Sequence, residues 1–385
     1  MAAMFKYLAL FFFNQATVSA FAPYVQIIFR NKGYSYSFVG LMISMGMVAA
    51  CFIPLYIGTA VDKTRRTRTT LAKLGIASNL LLLPSMLLKS KLLTAICFTI
   101  SYGLFWSVGP VMDGYANRQF LGDTSKYGKA RAAGTFGYVF FLVMFGLIGF
   151  PVETNNLSIY CCTTIILVFY ISCCCITPKD FPAEPNKEKK SFSFSFFSKK
   201  FYLVMLIIGI SRVSESVIDN LLAAYMTEEL KLGSKFVIFV AFGAFCEFLM
   251  LFFGGRILEK GKIKALTMIS LSSVGLITRF ALYRLFPGNI YTFTIAQSLH
   301  AFTFGALHIG TMKFISNNVN KEHYALGMGF YWSVANYLPS VIGSLMGGII
   351  IDKWGYLKLF EVCTIFPLVA LVLTFVVRKQ VRDKN

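Results

Sequence analysis

Nine ionisable side chains of this sequence lie in long apolar stretches, where a charge is costly and points to chemistry. Placing a charge at the centre of a membrane helix costs roughly 3 kcal/mol or more, so each is a functional candidate. Two kinds of chemistry are open to them: binding a polar solute through directed hydrogen bonds, and taking up or releasing a proton. The nine are Asp113, Arg131, Arg212, Glu215, Asp219, Glu247, Arg279, His300 and His308.

Asp113 and Arg131 form the first candidate set. Arg131 belongs to the stretch Tyr127-Gly-Lys-Ala-Arg131, and Tyr138 follows it by seven residues. A carboxylate and a guanidinium together offer several directed hydrogen bonds to a polyol, and the tyrosine ring can cover the apolar face of a sugar. The alternative is a structural ion pair that braces two helices.

Glu247, Arg279 and His300 form the second set and fall in three successive apolar stretches. In low dielectric the pKa of a glutamate beside an arginine and a histidine depends on their geometry, so helix movement can drive proton binding and release. His308 follows His300 by about two helical turns and lies near the same face. A static packing network is the alternative.

Arg212, Glu215 and Asp219 are spaced i, i+3 and i+7, which places them on one stripe of a helix. The spacing favours a structural pair between Arg212 and Glu215. It offers no obvious partner for Asp219, which makes Asp219 a second candidate proton carrier.

The composition excludes an ordinary soluble enzyme, a disordered chain and a disulfide scaffold. Of the 385 residues, 56% are apolar and 14% are charged, and the mean hydropathy is +0.66, whereas soluble domains are about 25% charged. The net charge of +20 favours basic cytoplasmic loops over nucleic-acid binding. The nine cysteines lie in apolar runs without metal-ligand spacing, so no metal, cofactor or disulfide is expected.

The apolar stretches predict an all-α membrane protein with twelve transmembrane helices. Each stretch is close to the roughly 20 residues that cross a bilayer, and helices are the default because a backbone in lipid must satisfy its own hydrogen bonds. Lys and Arg concentrate in the even-numbered loops and at both termini, which predicts cytoplasmic termini. The predicted spans are 5–29, 36–60, 70–88, 92–117, 130–150, 158–177, 201–226, 235–257, 265–283, 290–316, 324–350 and 359–377.

A linker and a repeat divide the chain into two halves. Residues 179–200, rich in Pro and charge, are predicted to link an N-terminal bundle, 1–178, to a C-terminal bundle, 201–385. The loop after the second span and the loop after the eighth both read Gly, three residues, an acid and Lys. Such a two-fold repeat is typical of secondary transporters. The predicted gating residues are Gly58, Asp62, Lys63, Arg66, Gly255, Glu259 and Lys260.

This loop motif resembles that of the major facilitator superfamily, and the resemblance covers essentially the whole chain. It implies two pseudo-symmetric six-helix bundles that rock around a central cavity, with the loop acid holding a gate. Thr64 stands where the superfamily usually has Gly, and Glu259 stands for Asp in the second copy. By the same resemblance Asn14, Trp106 and Asn336 line the cavity.

Two stretches indicate which branches of the superfamily this chain resembles. The spacing of Asp113 and Arg131 is similar to that of the lactose permease branch, whose acid and arginine hold sugar hydroxyls. The stretch from Leu299-His300 to Lys313-Phe-Ile is more similar to the phenylpropionate permease branch. The resemblance implies proton coupling through Glu215, Glu247, Arg279, His300 and His308, with Thr303 in place of an acid of lactose permease.

Together these features predict a proton-coupled symporter of a small polar solute, sugar-like or nucleoside-like, that works by alternating access. A proton-coupled or facilitative carrier of an aromatic carboxylate is the alternative, since Arg131 can also bind a carboxylate. A non-transporting membrane sensor is the alternative of another class. The expected partners are the solute, protons and the lipid bilayer, without nucleic acid. The chain is expected to act as a monomer in a cytoplasmic (inner) membrane.

Overall fold

The computed structural model describes residues 2–120, 124–149, 156–179, 197–259, 263–319 and 324–381. Every regular element within these ranges is helical. In chain order the α-helices are α1 (Ala2–Phe21), α2 (Val25–Asn31), α3 (Tyr36–Thr64), α4 (Thr67–Leu87), α5 (Lys91–Gln119), α6 (Thr124–Ile148), α7 (Asn156–Ile176), α8 (Lys199–Ala224), α9 (Phe236–Glu259), α10 (Ala265–Leu285), α11 (Ile290–Ser298), α12 (Leu307–Asn318), α13 (Tyr324–Trp332) and α14 (Leu338–Val381).

Short segments of other helix types interrupt or join these α-helices. They are 3-10 turns at Ala22–Tyr24 and Gly233–Lys235, and π-helical turns at Tyr225–Glu229, Ala301–Ala306 and Ser333–Tyr337. A π turn holds more residues than an α turn, and such turns are frequent at functional sites. The turns at Ala301–Ala306 and Ser333–Tyr337 both border the charged side chains of the second half.

Ten helical segments of the described chain are long and apolar enough to cross a membrane. The prediction of an all-α, multi-pass membrane protein is therefore confirmed. The count of twelve stays a prediction, because the helical stretch 290–318 is not among the ten and the last segment, Gly327–Val376, runs over 50 residues. That segment exceeds the roughly 20 residues of one span. It breaks at Gly355, whose φ of 74° lies in the region that favours glycine.

The chain divides into two compact units, one covering residues 1–189 with 233–241 and the other covering 190–232 with 242–385. In the first unit, α1 packs against α6 and α7, and α5 packs against α3 and α4. Its core includes Tyr7, Phe11, Met112, Tyr115 and Leu167. The predicted linker falls largely on 180–196, outside the described residues, so the domain boundaries stay a prediction.

In the second unit, α8 packs along α14, and small residues on α14 allow the two helices to approach closely. A Cβ atom built on Gly343 would lie 2.6 Å from the backbone oxygen of Val213 and 3.3 Å from Cγ2 of Val217. Because α8 carries Arg212 and Glu215, this close packing fixes the backbone positions from which their side chains extend.

We expect Gly343→Ala to destabilise the protein by about 1–3 kcal/mol, because the added methyl group overpacks a contact with rigid backbone. The matched control is Gly329→Ala on α13, where an added Cβ would meet nothing within 4 Å. The control should be neutral or slightly stabilising, since alanine favours helix by about 1 kcal/mol over glycine. Thermal unfolding of the purified variants measures both, and equal melting temperatures would contradict the prediction.

The ammonium group of Lys32, directly after α2, caps the C-terminal end of α4 by donating hydrogen bonds to backbone carbonyls. Its Nζ donates to the carbonyl oxygens of Ser85 at 3.0 Å and Leu88 at 2.7 Å, and lies 3.4 Å from Oγ1 of Thr94. The last carbonyls of a helix lack partners of their own and carry partial negative charge, so a cation there is favourable. Burial lowers the pKa of Lys32 below its usual value.

Replacing Lys32 with Met is expected to lower the stability of the first unit by about 2 kcal/mol, because it leaves carbonyls without a charged donor. Lys89→Met removes the same charge from an exposed side chain nearby and should change stability by less than about 0.5 kcal/mol. Chemical or thermal unfolding of both variants tests this. Equal free energies of unfolding for the two variants would show that the Lys32 ammonium group does not stabilise the end of α4.

Candidate functional site

The predicted gating residues lie at the ends of α3 and α9, and the structure describes them only in part. Gly58, Asp62 and Lys63 lie in α3, and Gly255 and Glu259 lie in α9, but their side-chain surroundings fall outside the described part of the chain. Lys260 lies outside it altogether. Arg66 stands exposed between α3 and α4. The gating role therefore stays a prediction.

In the first unit, the structure brings Asp113 on α5 and Arg131 on α6 together. Arg131 Nη1 lies 3.6 Å from Asp113 Oδ1, and both side chains are partly exposed, at 34% and 24%. The hydroxyl of Tyr127, one turn before Arg131, approaches the same carboxylate. At 3.6 Å the two charges attract without a proper hydrogen bond, and Asp113 Oδ1 accepts none from the described residues. This carboxylate therefore has capacity to bind a polar ligand.

The other three side chains predicted to contact the solute in this unit lie on α1, α5 and α6. Asn14 on α1 is buried. Trp106 lies on α5 two turns before Asp113, with its ring 6.0 Å from that of Tyr102, and its buried indole Nε1 finds no acceptor in the described part of the chain. Tyr138 is half-buried on α6, two turns after Arg131.

In the second unit, the buried carboxylate of Glu215 on α8 is the centre of a charged cluster. Its Oε1 accepts a hydrogen bond from Thr303 Oγ1 at 3.0 Å. The same oxygen lies 3.0 Å from His300 Nδ1 and 3.4 Å from Arg279 Nη1. Glu215 is fully buried, so these partners replace the water that would otherwise stabilise its charge.

His300 joins this centre to the second glutamate. Its Nε2 lies 3.3 Å from Glu247 Oε2, while its Nδ1 faces Glu215. A neutral imidazole carries one N–H, so only the imidazolium can donate to both carboxylates. With His300 in that form, three positive side chains, including Arg212 and Arg279, balance the carboxylates of Glu215, Glu247 and Asp219.

Arg279 is held by residues that the sequence analysis did not single out. Its Nη2 donates to Gln297 Oε1 at 2.7 Å, and its Nε donates to the Tyr283 hydroxyl at 3.1 Å. Tyr283 follows Arg279 by one turn, a spacing that places the two on one helix face. Thr303 was noted only as the replacement for an acid, whereas its hydroxyl donates to Glu215.

Arg212 lies beside two carboxylates and two groups of a π turn, and the expectation that Asp219 has no obvious partner is wrong. Its Nη2 lies 3.6 Å from Asp219 Oδ2, so Asp219 does have a charged partner. The shortest bonds of Arg212 run to the π turn at Ser333–Tyr337, from Nε to the carbonyl of Ala335 at 2.8 Å and from Nη2 to Oδ1 of Asn336 at 3.1 Å. Its distance to Glu215, 3.9 Å, is the longest of the four. Asp219 is two turns from Arg212 on the same face, a distance that the long arginine side chain spans.

His308 is connected to His300 through the ring of Phe304. The centroid of Phe304 lies 6.0 Å from that of His300 and 5.8 Å from that of His308, with nearly parallel planes in the second case. His308 Nδ1 lies 3.3 Å from the Tyr331 hydroxyl, and the guanidinium of Arg212 lies over Phe304 at 5.2 Å. The π turn at Ala301–Ala306 contains Phe304 and so lies between the histidines.

Comparison with known proteins shows the family of this chain. The model of the MFS_1-like family matches residues 4–362. This chain belongs to the MFS_1-like family. The resemblance to the major facilitator superfamily is thereby confirmed, and the family is one of membrane transporters rather than of enzymes.

Solved structures similar to this MFS_1-like chain are also transporters. The nucleoside transporter NupG aligns with a TM-score of 0.80 at 16% identity, covering all of both chains, and a point mutant of it aligns with 0.81. A bacterial homolog of the human lysosomal transporter Spinster, inward-facing and unoccupied, aligns with 0.73 at 12% identity, covering all of this chain and 98% of that one. At these identities the likeness shows the fold. No curated protein matches the sequence.

Proposed function

We propose that this MFS_1-like protein is a proton-coupled symporter of a small polar solute, sugar-like or nucleoside-like, and works by alternating access. The observation that carries the proposal is the charged cluster of the second unit, in which His300 joins the carboxylates of Glu215 and Glu247. A partly buried histidine between two carboxylates offers a proton several binding positions that lie only a few ångströms apart. Movement of α8, of α9 or of the helical stretch between α11 and the π turn at Ala301–Ala306, which carries His300, changes those distances and thereby the affinity for the proton.

The solute is proposed to bind at Asp113 and Arg131 in the first unit. Both side chains are partly exposed, and Asp113 Oδ1 accepts no hydrogen bond from the described residues, so this carboxylate can accept one from a ligand. Tyr138, Trp106, Asn14 and Asn336 are proposed as further solute contacts.

The class of solute is proposed from the chemistry of this pair. An acid together with an arginine suits vicinal hydroxyl groups, as a sugar or the ribose of a nucleoside presents them. The similar fold of NupG, a nucleoside transporter, supports the nucleoside. The phenylpropionate-like stretch around His300 and the guanidinium of Arg131 favour an aromatic carboxylate as the second candidate.

Symport requires that the protein change state only with both solute and proton bound, or with neither, because any other exchange dissipates the gradient. The cluster of Glu215, Glu247, Arg279 and His300, with His308 and Asp219 beside it, is proposed to impose this rule. Membership of the lactose permease or phenylpropionate permease branch, a monomeric state, cytoplasmic termini and an inner-membrane location complete the proposal.

Proton movement in proteoliposomes tests the proposal. Vesicles that hold a pH-sensitive dye and the wild-type protein should acidify inside when a transported sugar, nucleoside or aromatic acid is added outside. Arg131→Ala should abolish the signal, whereas Lys129→Ala, at an exposed position on the same helix, should leave it intact.

Three other outcomes would contradict the proposal in different ways. Saturable uptake of labelled solute without a pH change would identify a facilitative carrier. A signal with aromatic acids alone would favour the second solute class. Absence of uptake for every solute, from a protein that is folded and still binds one of them, would favour the non-transporting sensor.

A further inference from the structure

We propose that Arg212, Glu215 and Asn336 form a buried binding site for one neutral hydroxyl group, supplied by a water molecule or by the solute. If the hydroxyl group belongs to the solute, the inference rests on the proposed transport function. If it belongs to a water molecule, it does not. The site lies in the second unit, between α8 and the π turn at Ser333–Tyr337.

Three buried polar atoms without hydrogen-bond partners among the described residues belong to Arg212 and to two side chains that adjoin its guanidinium. Arg212 Nη1, Glu215 Oε2 and Asn336 Nδ2 each expose almost no surface and have no hydrogen-bond partner among the described residues. Arg212 is 3% exposed and Glu215 is fully buried. A buried polar atom without a partner loses its hydration without compensation, so isolated cases are rare in folded proteins. Three of them, on Arg212 and on two side chains that adjoin its guanidinium, are the basis for inferring a shared ligand.

The orientation of the three atoms follows from their other bonds. Arg212 Nη2 can only donate, so the atom of Asn336 that lies 3.1 Å away must be the amide oxygen, which leaves the NH₂ group as a donor without an acceptor among the described residues. Glu215 concentrates its known partners on Oε1, with Thr303 and His300 both at 3.0 Å. Oε2 is therefore the free end of that carboxylate.

Distance explains why these groups do not satisfy each other. Arg212 Nη1 lies 3.9 Å from Glu215 Oε1, beyond hydrogen-bond range. The guanidinium is fixed on its other side by the carbonyl of Ala335 and by Asn336, so it cannot turn toward Glu215 without breaking both bonds. A polar pair held at such a separation is typically bridged by an intervening oxygen.

The donors and acceptors match a hydroxyl group and exclude ions. Arg212 Nη1 and Asn336 Nδ2 donate, and Glu215 Oε2 accepts. A hydroxyl oxygen accepts two hydrogen bonds and donates one, which uses all three atoms. A sodium ion would face two N–H groups, one of them cationic, and a carboxylate ligand would face the charge of Glu215.

The first test is a map of the full chain in lipid nanodiscs at about 2 Å resolution, recorded without solute and with uridine or a methyl galactoside. We expect a single oxygen peak within about 3 Å of Arg212 Nη1 and of Glu215 Oε2. A peak in the solute-free map identifies water, and this outcome stands even if the dye assay shows no proton movement. A peak that appears only with the probe and continues into its density identifies a solute hydroxyl. No peak in any map overturns the inference.

The second test uses Asn336→Leu, with Ser333→Ala as the control, because Ser333 lies on the same turn and bonds the carbonyl of Gly329 on its own helix. The oxygen peak should be lost in Asn336→Leu and retained in the control. If the hydroxyl belongs to the probe, Asn336→Leu should bind it about tenfold more weakly, and a deoxy analogue lacking that hydroxyl should bind both proteins alike. An unchanged peak in Asn336→Leu would remove Asn336 from the site.

Discussion

Glu215→Gln is expected to lower proton-coupled accumulation of solute by more than about tenfold and to destabilise the protein by about 3–5 kcal/mol. The amide keeps the size of the side chain but removes the charge that Arg279 and His300 face at 3.4 and 3.0 Å. Two cationic groups would then share a buried space without their central counter-charge. Accumulation of labelled solute against a gradient, beside thermal unfolding, measures both effects.

Two controls separate the loss of coupling from the loss of stability. Glu361→Gln breaks an exposed pair in which Arg284 donates at 2.7 Å, and should cost little because exposed ion pairs contribute about 0–1 kcal/mol. The double variant Glu215→Gln/Arg279→Gln removes one charge of each sign, so it should recover part of the stability without recovering accumulation. If the double variant accumulates solute like the wild type, the cluster is structural bracing and not a coupling device.

Asp113→Asn and Arg131→Gln are each expected to weaken solute binding by about tenfold to a hundredfold while changing stability by less than about 1 kcal/mol. The pair is partly exposed and 3.6 Å apart, so its own attraction is worth little. A charged group that bonds a ligand is worth about 1.5–3 kcal/mol, which is the source of the larger effect on binding. Equilibrium binding of the transported solute and thermal unfolding measure the two effects separately.

An exchange of the two charges distinguishes a solute site from a brace between α5 and α6. Asp113→Arg/Arg131→Asp restores an ion pair between the helices but reverses the positions of acceptor and donor. A brace would tolerate the exchange, and binding would return to the level of the wild type. A solute site would not, and we expect binding to remain as weak as in the single variants.

The apolar stretches carried most of the information about the fold. Runs such as Leu80 to Leu83 exclude the polar–apolar alternation of a barrel strand. The described residues of the predicted spans are largely helical, and α14 runs from the later part of the eleventh predicted span through the twelfth. The spacing of Asp113 and Arg131 also sufficed to name two side chains that lie within 3.6 Å. Helix periodicity determines which face a residue occupies, and this was enough to group the charges by helix.

Contacts between helices depended on information that periodicity does not contain. The sequence favoured Arg212 and Glu215 as a pair because they are one turn apart, yet Arg212 bonds Ala335 and Asn336, more than a hundred residues away. Nothing in the spacing of Gln297 indicates its contact with Arg279, whose Nη2 donates to Gln297 Oε1 at 2.7 Å. The direction of a long side chain is set by packing partners, so neither contact follows from spacing alone.

The wide turn at Ala301–Ala306 has a consequence for how this sequence tolerates change in length. A π turn holds one residue more than the α turn it replaces, so its extra residue is taken up within the turn. Removing that residue restores a regular α turn and leaves His308 facing Tyr331 and the ring of Phe304. The same deletion within the regular turns of α12 would instead rotate every later residue of that helix by about 100°. A single-codon deletion is therefore expected to disturb the helix less at Ala301–Ala306 than one or two turns later.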